Sequence, residues 1–295
     1  MQPPRLSVVA PMHNEEGNAR PLYEAIREAV APLGDYEIIF VNDCSSDRTL
    51  GVMKEIAASD SHFHYADLES NVGENWALFA GISKARGEII VTIDGDYQND
   101  PAYIPAMLER LSQGYRVVSG WRRNRVGSFW DRRLPSIVAN ALIRMVTGVP
   151  VHDCGCGLKA YRREVIAGRY MPKGFLNRFS PVVFGVTAKE FSEVEIIDRE
   201  RKTGTSHYGL SRIFEVARDL CVIRFAAAGP SRCLTTFEKL QWVGVTAGAF
   251  CLILGSPVFA AAAFALALFA HVNTRSLERF IEAQARPPFR IKEFR

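Results

Sequence analysis

Short apolar runs alternate with stretches of helical periodicity along the first hundred residues. Residues 5–10, RLSVVA, form an apolar run that Pro11 ends, and a helical pattern follows over 19–30. YEIIFVND is a second strand, with a helix over 47–58 after it. HFHYADL is a third, with a helix over 75–85, and GEIIVTID is a fourth. Strands alternating with helices of about ten residues predict βαβ units and a mostly parallel, Rossmann-like sheet with helices on both faces. The opening MQPPRLSVVAP lacks a charged leader and a long apolar core, and reads as the first strand.

Polar residues cluster directly after these strands: His13-Asn14-Glu15, Asn42-Asp43 and Asp94-Gly95-Asp96. Ligands of open parallel sheets sit beyond the carboxyl ends of the strands. The three clusters are therefore expected in one crevice.

A second pattern lies near the C-terminus. Between Lys239 and Arg275 there is no Asp, Glu, Lys or Arg. Gly255-Ser256-Pro257 interrupts this run and leaves arms at 240–254 and 257–272, of 15 and 16 residues. Each arm reaches about 22–24 Å as a helix, against a hydrocarbon core of roughly 30 Å. A shallow hairpin, a buried or interfacial helix pair and one tilted span all fit. Both flanks are basic, and the segment RSLERFIEAQARPPFRIKEFR carries six Lys or Arg, which favours a return to the cytoplasmic side. The preceding LSRIFEVARDLCVIRF, with Ile213, Phe214, Val216, Leu220 and Ile223 at near-helical spacing, reads either as an interfacial helix or as an ordinary core-facing one.

Composition adds limits. Apolar content of 48% and charged content of 23% are those of a folded protein. A net charge of +4 is too small to mark a nucleic-acid binder. The seven Arg and single Asp from Arg116 to Arg144 instead suit an anionic ligand or a membrane surface. The six cysteines include no C-x-x-C pair, so free thiols in a reducing compartment are expected.

The acidic stretch VTIDGDYQND carries the chemistry. At i and i+2 of an extended segment, Asp94 and Asp96 share a face, and Gln98 follows on it. Hard oxygen ligands there suit Mg²⁺ or Mn²⁺, which leaves positions open for phosphate oxygens and neutralises a diphosphate leaving group. The bland alternative is a solvated acidic turn.

The runs VVAPMHNEEGN, IIFVNDCSSDRT, NVGENWALFAGISKARGEIIVTIDGDYQNDP, DCGCGLKAYRREV and RERKTGTSHYG occur in that order. Together they resemble the motifs of family 2 glycosyltransferases. More narrowly, they are similar to the dolichyl-phosphate mannose synthase and bacterial polyprenyl-phosphate glycosyltransferase type. The resemblance implies a GT-A fold and inverting transfer of a sugar from a nucleotide-diphosphate sugar to a membrane polyprenyl phosphate (undecaprenyl or dolichyl). It places Pro11, Asn14 and Glu16 around the nucleotide and Asp43 at the base or ribose. Asp94 and Asp96 hold the metal, with Gln98 beside it. Arg122 and Arg125 face the acceptor phosphate or diphosphate, and Arg201 with Ser206, His207 and Tyr208 closes over the diphosphate. Asp153 orients the acceptor or acts as a base, unless it is a structural loop residue.

The organisation that follows is a catalytic domain over 1–208, amphipathic juxtamembrane helices over 209–239, a hydrophobic membrane hairpin over 240–274 and a basic cytoplasmic tail over 275–295. The catalytic domain is expected on the cytoplasmic face, on the inner membrane if the source is bacterial, and a homo-oligomer is compatible with the resemblance. Asn42-Asp43 stands where many relatives have Asp-Asp, Asn177 where they often carry His, and His207 where Lys is commoner. A hydroxyl acceptor, for which Asp153 is the nameable base, and a non-catalytic nucleotide-sugar sensor are the alternatives. The lack of a Q-x-x-R-W motif argues against a processive synthase.

Overall fold

The protein is described by a computed structural model covering residues 5–123, 134–170, 184–199, 225 and 229–295. Arg125, Asn177, Arg201, Ser206, His207 and Tyr208 lie outside the described residues, as do Ile213, Phe214, Val216, Leu220 and Ile223.

The predicted alternation is observed. Strand β1 (Leu6–Met12) leads to helix α1 (Glu16–Val30), β2 (Tyr36–Asn42) to α2 (Thr49–Ser59), β3 (Phe63–Leu68) to α3 (Glu74–Lys84), and β4 (Ile89–Thr92) to α4 (Ile104–Ser112). Then come β5 (Val117–Arg122), α5 (Leu134–Thr147), β6 (Lys159–Arg162), the short α6 (Arg163–Ile166) and β7 (Phe191–Ile196). Last are α7 (Pro230–Ile253), α8 (Pro257–Ala285) and β8 (Ile291–Phe294). One sheet holds all eight strands in the order β7-β5-β6-β4-β1-β2-β3-β8. Among the described residues, only β6 and β8 run against the rest. The central strands are buried on both faces, which is why they read as continuous apolar runs.

Pro11 lies inside β1 and does not end it. Val9 accepts the amide of Ile93, the residue after β4, whereas Met12 accepts the amide of Asp43, the residue after β2. Side alternation therefore points the missing N–H of Pro11 toward β4. Proline withholds the donor that would continue that ladder, and β4 stops at Thr92. The chain after it peels away between β4 and β1, the point where strand order reverses.

Helices cover both faces. Ala19, Leu22, Ile26, Met53, Ile56 and Met107 pack one core. Trp76, Phe79 and Ile143 pack the other, joined by Phe237, Leu277 and Phe280 from α7 and α8.

Residues 275–295, read from sequence as a basic tail, are instead built into the fold. They finish α8 and then form β8, antiparallel to β3. Glu293 accepts from Lys54 Nζ at 2.9 Å and Tyr65 Oη at 2.6 Å. The charges hid this, because apolar residues among them, Phe289 and Ile291 included, pack against the core.

Candidate functional site

The loops after β1 and β2 are sewn together. Asn14, at φ 55°, donates its amide to Ser45 Oγ at 3.0 Å, and its Oδ1 accepts from Ser46 N at 2.8 Å. Glu16 accepts from Arg48 N at 2.9 Å, and its own amide donates to Asp47 at 3.2 Å. His13 Nδ1 donates to the Asp43 carbonyl at 2.8 Å. The buried Asp43 carboxylate accepts from the amides of Val72 (2.7 Å) and Gly73 (2.8 Å), which ties the chain entering α3 to the end of β2. These side chains build the walls of the crevice.

The acidic loop meets the same walls. A Cβ on Gly95 would collide with the Pro11 carbonyl and come within 2.8 Å of Met12 Sδ, so only glycine lets the loop lie on the end of β1. The segment carrying Asp94 and Asp96 is not extended as its pattern suggests. The strand ends at Thr92, residues 95 and 96 form a turn, and Tyr97 is left-handed at φ 56°. The Gln98 amide donates to Asp96 Oδ1 at 3.1 Å, an Asx-type closure that the period-2 argument did not anticipate.

Asp94 and Asp96 nonetheless act on each other. Burial pushes the Asp94 carboxyl well above the usual carboxylate range, and the charges of Glu74 and Asp96 push it further. Arg122 offsets this only in part. Glu74, the first residue of α3, hydrogen-bonds Asp94 and lies one residue beyond Gly73, whose amide Asp43 accepts. On the other side Gly157, in the loop before β6, packs directly against the Asp94 carboxylate. Thr92 Oγ1 holds that loop through the Gly157 carbonyl at 2.9 Å, and the buried Lys159 Nζ donates to the Cys156 carbonyl at 2.5 Å.

Arg122 and Asp153 form a buried, two-pronged ion pair. Nε reaches Oδ2 at 2.6 Å and Nη2 reaches Oδ1 at 3.0 Å. Asp198 stands 3.7 Å from Nη1. Burial works against the guanidinium charge, but Asp153 outweighs it and Arg122 is held protonated. Gly155 N also donates to Asp153 at 3.1 Å. Arg122, expected at the acceptor phosphate or diphosphate, and Asp153, expected to orient the acceptor, act as a base or be a structural loop residue, are thus bound to each other. His152 stacks on Trp121 with centroids 4.4 Å apart and bonds Glu193 at 2.6 Å, which fixes the loop carrying Asp153. Burial pushes the Cys156 thiol up to about 12, so it stays neutral.

Sequence reasoning missed Glu74, Gly157, Asp198 and Arg199. An acid at the first turn of a helix ordinarily reads as a complement to the helix dipole, so Glu74 carried no special signal. Asp198 accepts from Asn99 Nδ2 at 2.9 Å, and Arg199 bonds Asp100 at 2.8 Å while lying 4.3 Å over the Tyr97 ring. The segment after β7 thereby covers the acidic loop. Among the described residues, no group of three or more His, Cys, Asp or Glu is disposed to enclose a metal alone.

Residues 7–168 match the family described as Glycosyl transferase family 2. The chain is 39% identical over 225 residues to dodecaprenyl-phosphate galacturonate synthase of Rhizobium johnstonii, covering 75% of this chain and 66% of that protein. It is 36% identical over 217 residues to undecaprenyl-phosphate 4-deoxy-4-formamido-L-arabinose transferase of Pseudomonas paraeruginosa, covering 73% and 63%. The chain thus spans just under two thirds of the length of these relatives. Its fold is shared with glucosyl-3-phosphoglycerate synthase from Mycobacterium tuberculosis, solved with Mn²⁺, UDP-glucose and phosphoglyceric acid (TM-score 0.54, 19% identity, 75% of this chain and 79% of that one). The same synthase solved with Mn²⁺, UDP and glucosyl-3-phosphoglycerate gives TM-score 0.54 at 20% identity, covering 77% and 80%. At such identity the likeness speaks for the fold, and the GT-A architecture expected from the motifs is the one adopted.

Proposed function

The chain belongs to glycosyl transferase family 2, and on that footing we propose that it transfers a sugar from a nucleotide-diphosphate sugar to a polyprenyl phosphate at a membrane surface. The observation that carries this is the crowding of Asp94, Asp96 and Glu74 at the reversal point of the sheet, with Asp94 strained toward its neutral form. A crevice with this excess of carboxylate repels a diphosphate unless a cation comes with it. The donor set, hard carboxylate oxygens from Asp94 and Asp96 with Gln98 alongside, fits Mg²⁺ or Mn²⁺. Such an ion, when bound, neutralises charge on the leaving diphosphate.

The chain's own residues do the rest. The tied loops of Asn14, Glu16 and Asp43 present the nucleotide pocket ready-made, with Pro11 at its floor. Arg122 and Asp153 act as a unit that sets the acceptor side. Arg125, Arg201, Ser206 and His207 supply the phosphate contacts that a second anionic substrate requires. An acceptor phosphate is an anion near neutral pH, so no strong base is needed. The engagement of both Asp153 oxygens by Arg122 favours this acceptor over a hydroxyl. The apolar hairpin of α7 and α8 anchors the chain, with the catalytic domain on the cytoplasmic side. A homo-oligomer is compatible with this arrangement.

Labelled nucleotide sugars incubated with polyprenyl phosphate and Mg²⁺ or Mn²⁺ test the reading. A labelled lipid, lost on chelation, is expected. No lipid product across a full panel of donors and prenyl phosphates would sink it.

A further inference from the structure

The α7–α8 hairpin has a fixed depth. Its polar level is marked by His271 Nδ1 bonding Gln241 Oε1 at 3.3 Å, with Lys239 and Arg275 just beyond on the two helices. Past that level both helices expose apolar side chains to the tip, among them Trp242, Ile253 (81% exposed), Val258 (78% exposed) and Phe259. From Leu240 to Ile253 there are 14 residues, and from Pro257 to Val272 there are 16. As helices these reach about 21 Å and 24 Å, short of a core of roughly 30 Å.

The tip does not suit hydrocarbon. Gly255 turns the chain at φ 70°, and the amides of Leu254, Gly255 and Ser256 bond back onto α7. The next helical bond is Ala260 N to Ser256 O, and Ser256 offers no side-chain cap. That leaves the amides of Val258 and Phe259 without a partner among the described residues. Irregular backbone with open amides is not tolerated against lipid tails. The hairpin also cannot lengthen by sliding. A Cβ on Gly244 would meet Ala267 N at 2.9 Å, so the helices are locked at backbone contact. Its base is bolted down as well. Tyr170 N donates to Gln284 Oε1 at 3.2 Å, Leu277 and Phe280 share a core with Trp76 and Phe79, and β8 closes the sheet edge.

We propose that the exposed face of this hairpin is a surface for lipid tails matched to a thin hydrocarbon layer of about 20–24 Å. The surrounding bilayer then thins until the tip reaches the opposite headgroups. The inference rests on the membrane reading above and adds to it a thickness preference and a tip exposed on the far side. Because the base is rigid, the same mismatch sets the height of Asp94 above the lipid phosphates.

The test uses the full chain carrying Ser256→Cys, reconstituted with the catalytic domain outward in phosphatidylcholine vesicles of 14- to 22-carbon monounsaturated chains. A membrane-impermeant maleimide is trapped in the lumen, and the wild-type chain gives the background of native cysteines. Labelling at position 256 at least fivefold stronger in the thinnest than in the thickest bilayer is expected. Four apolar residues inserted in each arm should move the fall-off to thicker bilayers. Failure to float with vesicles, absence of labelling at every thickness, or labelling indifferent to thickness overturns the proposal. The readout is independent of sugar transfer. A chain that labels as expected but makes no lipid product would sink the proposed activity and leave the anchor standing.

Discussion

Gly157 lies so close to Asp94 that a Cβ on the glycine would occupy the space of the carboxylate. The two residues come from different halves of the catalytic region, one before β6 and one after β4. Gly157 and Glu74 together fix where Asp94 can stand.

Gly157→Ala should therefore displace the carboxylate without disturbing the core. The expected result is at least about tenfold weaker Mn²⁺-dependent binding of a nucleoside diphosphate, worth about 1.4 kcal/mol. Titration calorimetry reads this directly, and unchanged affinity would mean that Asp94 is not a ligand.

Asp96→Asn keeps the turn, since an amide oxygen can still accept from Gln98 N. It removes a charge from the group proposed to face the metal, and turnover should fall by about 10²–10³. Circular dichroism should remain that of the parent chain. Metal-dependent turnover surviving in this variant contradicts the assignment.

Arg122→Met leaves the Asp153 carboxylate buried without its guanidinium partner, at a cost of about 3–5 kcal/mol. Pairing it with Asp153→Asn should restore part of that loss, because the stranded charge is gone. Urea unfolding of the single and double variants gives the coupling. Strictly additive losses would rule out the ion pair as a unit.

Glu190 gives a pH signature. Its carboxylate is held down at about 2 by hydrogen bonds from the Thr187 amide and hydroxyl and by Arg116. The folded value lies below the unfolded value of about 4.3. Its contribution is thus present above that pH and fades as pH falls toward the folded value. Glu190→Gln should lower Tm at pH 7, and the gap to wild type should close on acidification. A gap that widens toward acid would reverse the sign of the argument.

The sequence by itself determined the alternation β1 to β4 with its helices. Apolar runs, turn residues and helical periods are local, and backbone sterics act on them locally. It also determined that Asn14, Asp43 and the Asp94–Asp96 pair gather at one edge, because parallel strands joined by right-handed crossovers bring their carboxyl ends together. Only the tertiary structure decided the rest. The four-residue β6 and β8 are too short and too charged to show a clear period, and pairing with β4, β5 and β3 makes them strands. Glu74, Gly157 and Asp198 acquire meaning from neighbours 20 or more residues away, through contacts that no spacing encodes. Arg122 and Asp153 look like independent chemical groups in the sequence. In the fold they neutralise one another, because a charge leaving water needs its counter-charge within hydrogen-bond reach.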